Sequence, residues 1–132
     1  MSQPIELILV RHLASSLAIP VFLVDPEGTM VFYNEAAEGV LGRRYDEAGE
    51  MSFEEWTTAF AVRDEVGQPL DIDQLPLVRA LRARRPAHHR FEITGLDGRP
   101  RSIEVSAFPL EAEGSRMLGA VALFWESGPD GA

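Results

Sequence analysis

Cysteine is absent from this 132-residue chain, and so is lysine: all 12 basic residues are arginine. The first absence rules out disulfides, a thiol nucleophile and thiolate metal sites, and it fits a reducing compartment. The second leaves no side-chain amine for Schiff-base chemistry. No apolar run approaches the ~20 residues that span a bilayer. The opening Met1-Ser-Gln-Pro-Ile-Glu has neither the basic start nor the small-residue cleavage site of a secretory leader. Secretion and membrane insertion are therefore not expected, and a cytoplasmic location is. The spacings GxxxxGK, GxGxxG, HExxH and GxSxG are all missing, so no phosphate cradle, zinc site or nucleophile elbow argues for an enzyme.

What the chain has in excess is acid. Its 21 Asp and Glu outweigh 12 Arg to give a net charge of −9. The imbalance is uneven: residues 1–75 hold 14 acids against 4 Arg, and residues 76–132 hold 7 against 8. Phosphate backbones and anionic lipid would repel such a chain, so neither nucleic acid nor a membrane surface is expected as a partner. The group Arg79, Arg82, Arg84, Arg85 and Arg90 reads as a solvated helix end, the alternative being a site for an acidic partner or an anionic ligand. The length suits one domain with a single core.

Local patterns fix the elements. Val21–Val24 and Met30–Tyr33 are rich in β-branched and aromatic residues, and Asp25-Pro-Glu-Gly between them offers proline at the second turn position and glycine where φ must be positive. That is a hairpin. Asn34 follows at once, with a side-chain carbonyl suited to cap a helix beginning Glu35-Ala-Ala-Glu. Upstream, Pro4 suits a first helical position, and Ile5 to Leu17 carries apolar residues at 5, 8, 9, 13 and 17. Leu7 and Val10 fall off that stripe, so this helix is expected to be covered on more than one side, by its own sheet and by a second subunit, the alternative being that it packs only on its own sheet.

Further on, Ser52 with Glu55 three residues later marks the start of a short helix whose Phe53, Trp56 and Phe60 share a face. Asp71 or Asp73 is expected to cap a helix running to about Arg84, with Leu77, Val78 and Leu81 buried and Arg85-Pro86 ending it. From His89 the period becomes two. Phe91 and Ile93, then Ile103, Val105 and Ala107, alternate with polar residues as in half-buried antiparallel strands. Met117–Trp125 is apolar at nearly every position, as befits a strand covered on both faces. Residues 127–132 read as a disordered tail.

In order and spacing these pieces resemble a PAS domain, the small sensor module of signalling proteins. Its pattern of apolar strand, Asp-x-x-Gly, second strand, Asn-x-Ala-Ala and Leu-Gly meets Asp25, Gly28, Asn34, Ala36, Ala37, Leu41 and Gly42 here. Leu75–Leu81, Gly95–Arg99, Ser106–Leu110 and Gly119–Phe124 are similar to its last helix and closing strands. The resemblance implies an α+β fold over residues 18–126, with a five-stranded antiparallel sheet in the order 2-1-5-4-3, short helices on one face and a helix of residues 1–17 on the other. It also implies a non-enzymatic sensory module that binds a small, mostly apolar ligand, or forms a homodimer, to regulate a downstream protein. The alternative is a ligand-free interaction module with a filled core. Dimerisation would use Ile5, Leu9, Leu13 and Leu17.

By parity and by the resemblance, the pocket residues are Phe22, Tyr33, Trp56, Phe60, Val78, Leu81, His89, Phe91, Ile103, Val105 and Leu123. Asp25, Gly28 and Asn34 form the structural motif, the Asn tying the Asp25 turn to the helices. Flavin sensors that form a cysteine adduct and sensors with a thioester-linked chromophore are excluded, since no Cys exists. Haem, held in some such domains by a histidine of the last helix, is not expected, because Asp73–Arg84 contains none. No metal site is expected either, and His12 reads as an interface or surface residue. The final strand meets Trp125-Glu126-Ser127 in place of the Asp-Ile-Thr-like motif that leads to an effector, so the resemblance supplies no direct route to one.

Overall fold

The structure, a computed structural model, describes residues 5–127. Its elements run α1 (Ile5–Ser15), β1 (Val21–Val24), β2 (Met30–Tyr33), α2 (Glu35–Leu41), α3 (Tyr45–Ala48), α4 (Phe53–Ala59), α5 (Pro76–Ala83), β3 (Ala87–Thr94), β4 (Pro100–Ala112) and β5 (Arg116–Glu126). The strands form one antiparallel sheet in the order β2-β1-β5-β4-β3. Its first hairpin turns as its residues dictate. The Asp25 carboxylate accepts from the Glu27 and Thr29 N–H groups at 2.9 and 3.0 Å, and Gly28 takes φ +88°, where a side chain would be strained.

The central strand β5 pairs with both β1 and β4, with Val21 opposite Leu123 and Ala107 opposite Ala122. At Gly119, with φ +142°, an added Cβ would lie 2.2 Å from the Val24 carbonyl oxygen, so the β1–β5 contact depends on glycine there.

Pleating sorts the side chains to two faces. Phe22, Val24, Phe91, Ile103, Val105, Ala120, Ala122 and Phe124 point toward α2, α4 and α5 and build the main core with Leu41, Trp56, Phe60, Leu77 and Val78. Val21, Leu23, Val31 and Val121 point the other way, where Leu7 and Ala14 of α1 cover them. The sheet is thus buried on both sides in its middle, which is why β5 carries apolar residues at consecutive positions.

Leu7, Val10 and Ala14 are the residues of α1 that meet the sheet, and the stripe at 5, 8, 9, 13 and 17 faces outward. Other expectations are corrected. Asp71 caps only a 3₁₀ turn, Ile72–Gln74, and the last helix begins at Pro76, whose missing N–H costs nothing at a first helical position. Ser127 is no part of a loose tail: it is buried, and its N–H donates to the Ser102 carbonyl at 2.9 Å. Pro4 and residues 128–132 lie outside the described residues. Among the described residues no helix is long and apolar enough to cross a membrane, and no three His, Asp or Glu side chains gather as a metal cluster.

Candidate functional site: a small apolar cavity and an uncovered helix face

Two features stand out, on opposite sides of the sheet. The first is a cavity between the sheet and the helices, fixed in place by α4. Ser52 and Glu55 close the first turn of α4 reciprocally: the Glu55 N–H donates to Ser52 Oγ at 3.2 Å, and the Ser52 N–H donates to Glu55 Oε1 at 2.8 Å. The Ser52 bond holds the Glu55 carboxyl below its ordinary range. Trp56, one turn on, is buried, and its indole N–H donates to the Gly28 carbonyl at 2.9 Å. The hairpin turn is thereby tied to the helix that roofs the core.

Phe22 receives Trp56 edge-on at 5.2 Å between ring centroids and Phe60 at 6.5 Å. The space left among these rings is about 50 Å³, walled by Phe22, Leu41, Trp56, Phe60, Val62, Leu75, Leu77, Phe91, Ile93, Ile103, Val105, Ala122 and Phe124. Every one of these side chains is apolar except for the indole N–H, already engaged with Gly28. Ligand pockets for drug-sized molecules run to roughly 300–1,000 Å³, so this void is far smaller, close to packing slack.

Six of the residues expected at a pocket meet there: Phe22, Trp56, Phe60, Phe91, Ile103 and Val105. The others lie elsewhere. Tyr33 is buried beside Phe22, with ring centroids 6.4 Å apart, but its hydroxyl points away and donates to the Arg43 carbonyl at 2.7 Å. Burial pushes its phenol up to about 12 from 10.0. Val78 and Leu81 face an outer groove bounded by Pro26, Gly28 and Phe53. His89 stacks on Phe91 at 6.4 Å and borders the Asp64–Val66 loop rather than the void. Leu123 is on the opposite face, packed with the residues under α1. Strand β5 is apolar at successive positions, so its own sequence carries no parity signal. Pairing of Ala122 with Phe22 is what turns Phe124 inward and Leu123 outward.

Leu41 and Ile93 enter the wall because the end of α2 docks on the β3–β4 turn, the Leu96 N–H donating to the Leu41 carbonyl at 2.7 Å. Gly42 follows with φ +83°, and a Cβ there would lie 2.6 Å from the Asp97 side chain. Asp97 in turn is gripped by Arg101 at 2.9 Å and by the Arg99 N–H at 3.1 Å, which hold its carboxyl far below the usual carboxylate range.

The second feature is the outer face of α1. Ile5, Leu9 and Leu13 are 69, 63 and 62 % exposed, and Ile8 and Leu17 are 40 and 39 % exposed. The charges of α1 are turned aside from this stripe. Glu6 pairs with Arg116 at 3.0 Å, and the Arg11 guanidinium lies 4.7 Å from the Phe32 ring centre and 5.5 Å from that of Tyr45.

Asn34 holds α1 in this attitude. Its Oδ1 accepts from the N–H groups of Val21 and Ala37, both at 3.0 Å. Its Nδ2 donates to the carbonyls of Ala14 and Ile19, both at 2.9 Å. The expected tie from Asn34 to the Asp25 turn is therefore corrected: Asn34 sits at the other end of the hairpin and joins α1, β1 and α2, while Trp56 makes the tie to the turn.

Comparison with known proteins agrees with this architecture. A family model described as PAS fold matches residues 14–127. Among solved structures, the PAS domain of Bordetella pertussis BvgS superposes with a TM-score of 0.63 at 20% identity, covering 93% of this chain and 87% of that one. The PAS domain of nitrogen regulation protein NR(II) from Vibrio parahaemolyticus gives 0.64 at 17% identity over 89% and 97%. A Rhodobacter sphaeroides LOV protein gives 0.73 at 14% identity over 97% and 71%. At such identities the structural likeness shows the fold alone. No curated protein matches the chain.

Proposed function

The chain belongs to the PAS-fold family, and from that premise we propose that it works as a non-catalytic signalling module in the cytoplasm, whose working contact is self-pairing through the outer face of α1. The observation that carries this reading is the exposed stripe Ile5, Leu9 and Leu13, continued by Leu17 just past the helix end, on a helix whose other side already covers the sheet. A face this apolar marks an interaction site on a monomer surface. The downstream regulated protein would then read the paired or unpaired state.

The void of about 50 Å³ supports the filled-core form of this reading over one built on ligand capture. It leaves space for a molecule of a few apolar heavy atoms at most, with no polar side chain free to orient one. No cofactor enters the proposal.

The test is sedimentation velocity, at concentrations from sub-micromolar to tens of micromolar, on the wild type and on the double variant Leu9→Glu/Leu13→Glu. Both positions are exposed, so the variant should fold, keep its circular dichroism and run as a monomer where the wild type runs as a dimer. A wild type that stays monomeric throughout, or a variant that pairs as well as the wild type, defeats the reading.

A further inference from the structure

A strand at the rim of a sheet offers every second backbone N–H and C=O to whatever lies beside it. Both rims of this sheet are partly covered by the chain itself. On β2, Met30 and Met51 exchange backbone bonds of 2.7 and 3.2 Å, and the Tyr45 hydroxyl donates to the Val31 carbonyl at 2.7 Å. On β3, the Thr94 N–H donates to the Phe60 carbonyl at 2.7 Å, and Glu92 and Arg63 exchange two bonds of 2.8 Å in antiparallel pairing. That cover stops at Arg63. Asp64 turns the chain away, its carboxylate accepting from the Val66 and Gln68 N–H groups at 3.0 and 2.9 Å.

By the alternation of an antiparallel ladder, the residues of β3 that face outward with Glu92 are Arg90 and His88. Among the described residues, no group bonds to their N–H and C=O. Beside them, where a continuation of Phe60–Arg63 would run, lies an open groove of about 520 Å³ bounded by the Asp64–Val66 loop and Gln74. Val66 is 80 % exposed on its flank.

We propose that the outer edge of β3 at His88–Arg90 is a docking site for an extended, acidic segment of a partner protein, which joins the sheet as a further strand in line with Phe60–Arg63. The open backbone groups call for an extended guest. On that guest, carboxylates at alternate positions would meet Arg90 on the outer face of the sheet, and apolar side chains between them would cover Val66 on the side of His89.

Local charge sets the sign of the guest. Residues 76–90 hold five Arg, two His and no acid. Arg82 and Arg84 are paired with Asp73 and Glu111. Arg85, just ahead of β3, has no carboxylate within 4.0 Å among the described residues. Arg90 donates to Ser127 Oγ at 3.2 Å, and the carboxylate it reaches is that of Glu65, at 4.0 Å on an exposed side chain free to swing aside. Glu104, opposite Arg90 on β4, is turned toward Trp125 and His88. The net charge of −9 acts from further off and is screened beyond about 8 Å at physiological salt, so the arginines at the edge decide. A second copy docked edge to edge would bring two arginine-bearing strips together, which repel.

Amide exchange followed by NMR tests the edge and its guest together. In the free protein the His88 and Arg90 amides should exchange fast, beside His89 and Phe91, whose N–H groups point into the β4 ladder. The probe is a blocked hexapeptide of alternating Glu and Val, with alternating Lys and Val as its control. The Glu peptide should shift the His88 and Arg90 amides and slow their exchange, and the Lys peptide should bind roughly tenfold more weakly or worse. Arg85→Gln/Arg90→Gln should weaken the Glu peptide by about tenfold. His88→Pro removes an outward N–H and no bond to β4, so it should weaken the peptide while the urea midpoint stays near that of wild type. The proposal is overturned if the two amides are protected in the free protein, if the Glu peptide leaves them unchanged, or if the Lys peptide binds as well. Protection that grows as the protein is concentrated without peptide would assign the edge to a second copy and overturn it too.

Discussion

Asn34 offers the sharpest check on how α1 is held, because one 1 % exposed amide serves three elements. Asn34→Ala removes the cap of α2, which costs about 1 kcal/mol in a typical helix. It also strips the buried Val21 N–H of its acceptor, a loss of about 1–3 kcal/mol, and leaves the Ala14 and Ile19 carbonyls without their donor. Together these predict a loss of about 3–4 kcal/mol, a large share of the ~5–15 kcal/mol that stabilises an ordinary domain. Asn34→Asp separates the two halves of the amide. It keeps both acceptor bonds, but it turns a carboxylate toward the carbonyls of Ala14 and Ile19, so α1 should loosen while α2 stays capped. Acidification should narrow the gap to wild type as that carboxylate gains a proton it can donate. Urea unfolding gives the total, and amide exchange shows where protection goes: early in α1 for Asn34→Asp, and across α1, β1 and α2 for Asn34→Ala. A loss under about 1 kcal/mol for Asn34→Ala, or exchange in α1 unchanged by Asn34→Asp, would refute the reasoning, since that is the effect of a simple surface cap.

Two other outcomes follow from the core. Phe60, 2 % exposed beside the void, should cost about 3–5 kcal/mol as Phe60→Ala. The enlarged space, on the order of 150 Å³, should then bind benzene and regain stability, as dry engineered cavities do. A loss under about 1 kcal/mol, or no rescue by benzene, would mean the wall closes in or was never packed. Tyr33 predicts an alkaline limit. Its phenol is raised from 10.0 to about 12 by burial, so the stability it lends is complete below pH 10 and drains away as pH rises toward 12. The urea midpoint should fall over that window, and Tyr33→Phe should flatten the fall; a Tyr33→Phe curve parallel to wild type would contradict it. Tyr45, also raised by burial, accounts for the slope that remains.

The local elements were legible where one residue type has one use. Gly28 at positive φ, the Ser52–Glu55 box and the Asn34 cap each depend on neighbours within three residues, and all three form as the chain order indicates. Strand parity was legible where polar and apolar residues alternate, as in β3 and β4. It failed in β5, where Leu123 and Phe124 are equally apolar and only the partner strands assign a face to each. For α1, the pattern told that apolar residues surround it but not which of them meet the sheet. That choice follows from its rotation about its own axis, set by contacts with residues some twenty positions away, Ala14 with Asn34 and Arg11 with Phe32.

The sequence by itself determined the local elements and the absence of thiol and lysine-amine chemistry, because these follow from residue identity, turn propensity and periodicity along the chain, while the sheet order was read from the resemblance to PAS domains. Only the tertiary structure decided that the cavity is nearly full, that Tyr33, Val78, Leu81, His89 and Leu123 stand outside it, and that α1 turns its largest side chains to the solvent. Volume and rotation are properties of how separate segments meet. A change of one ring's position fills or opens a void without altering any local pattern.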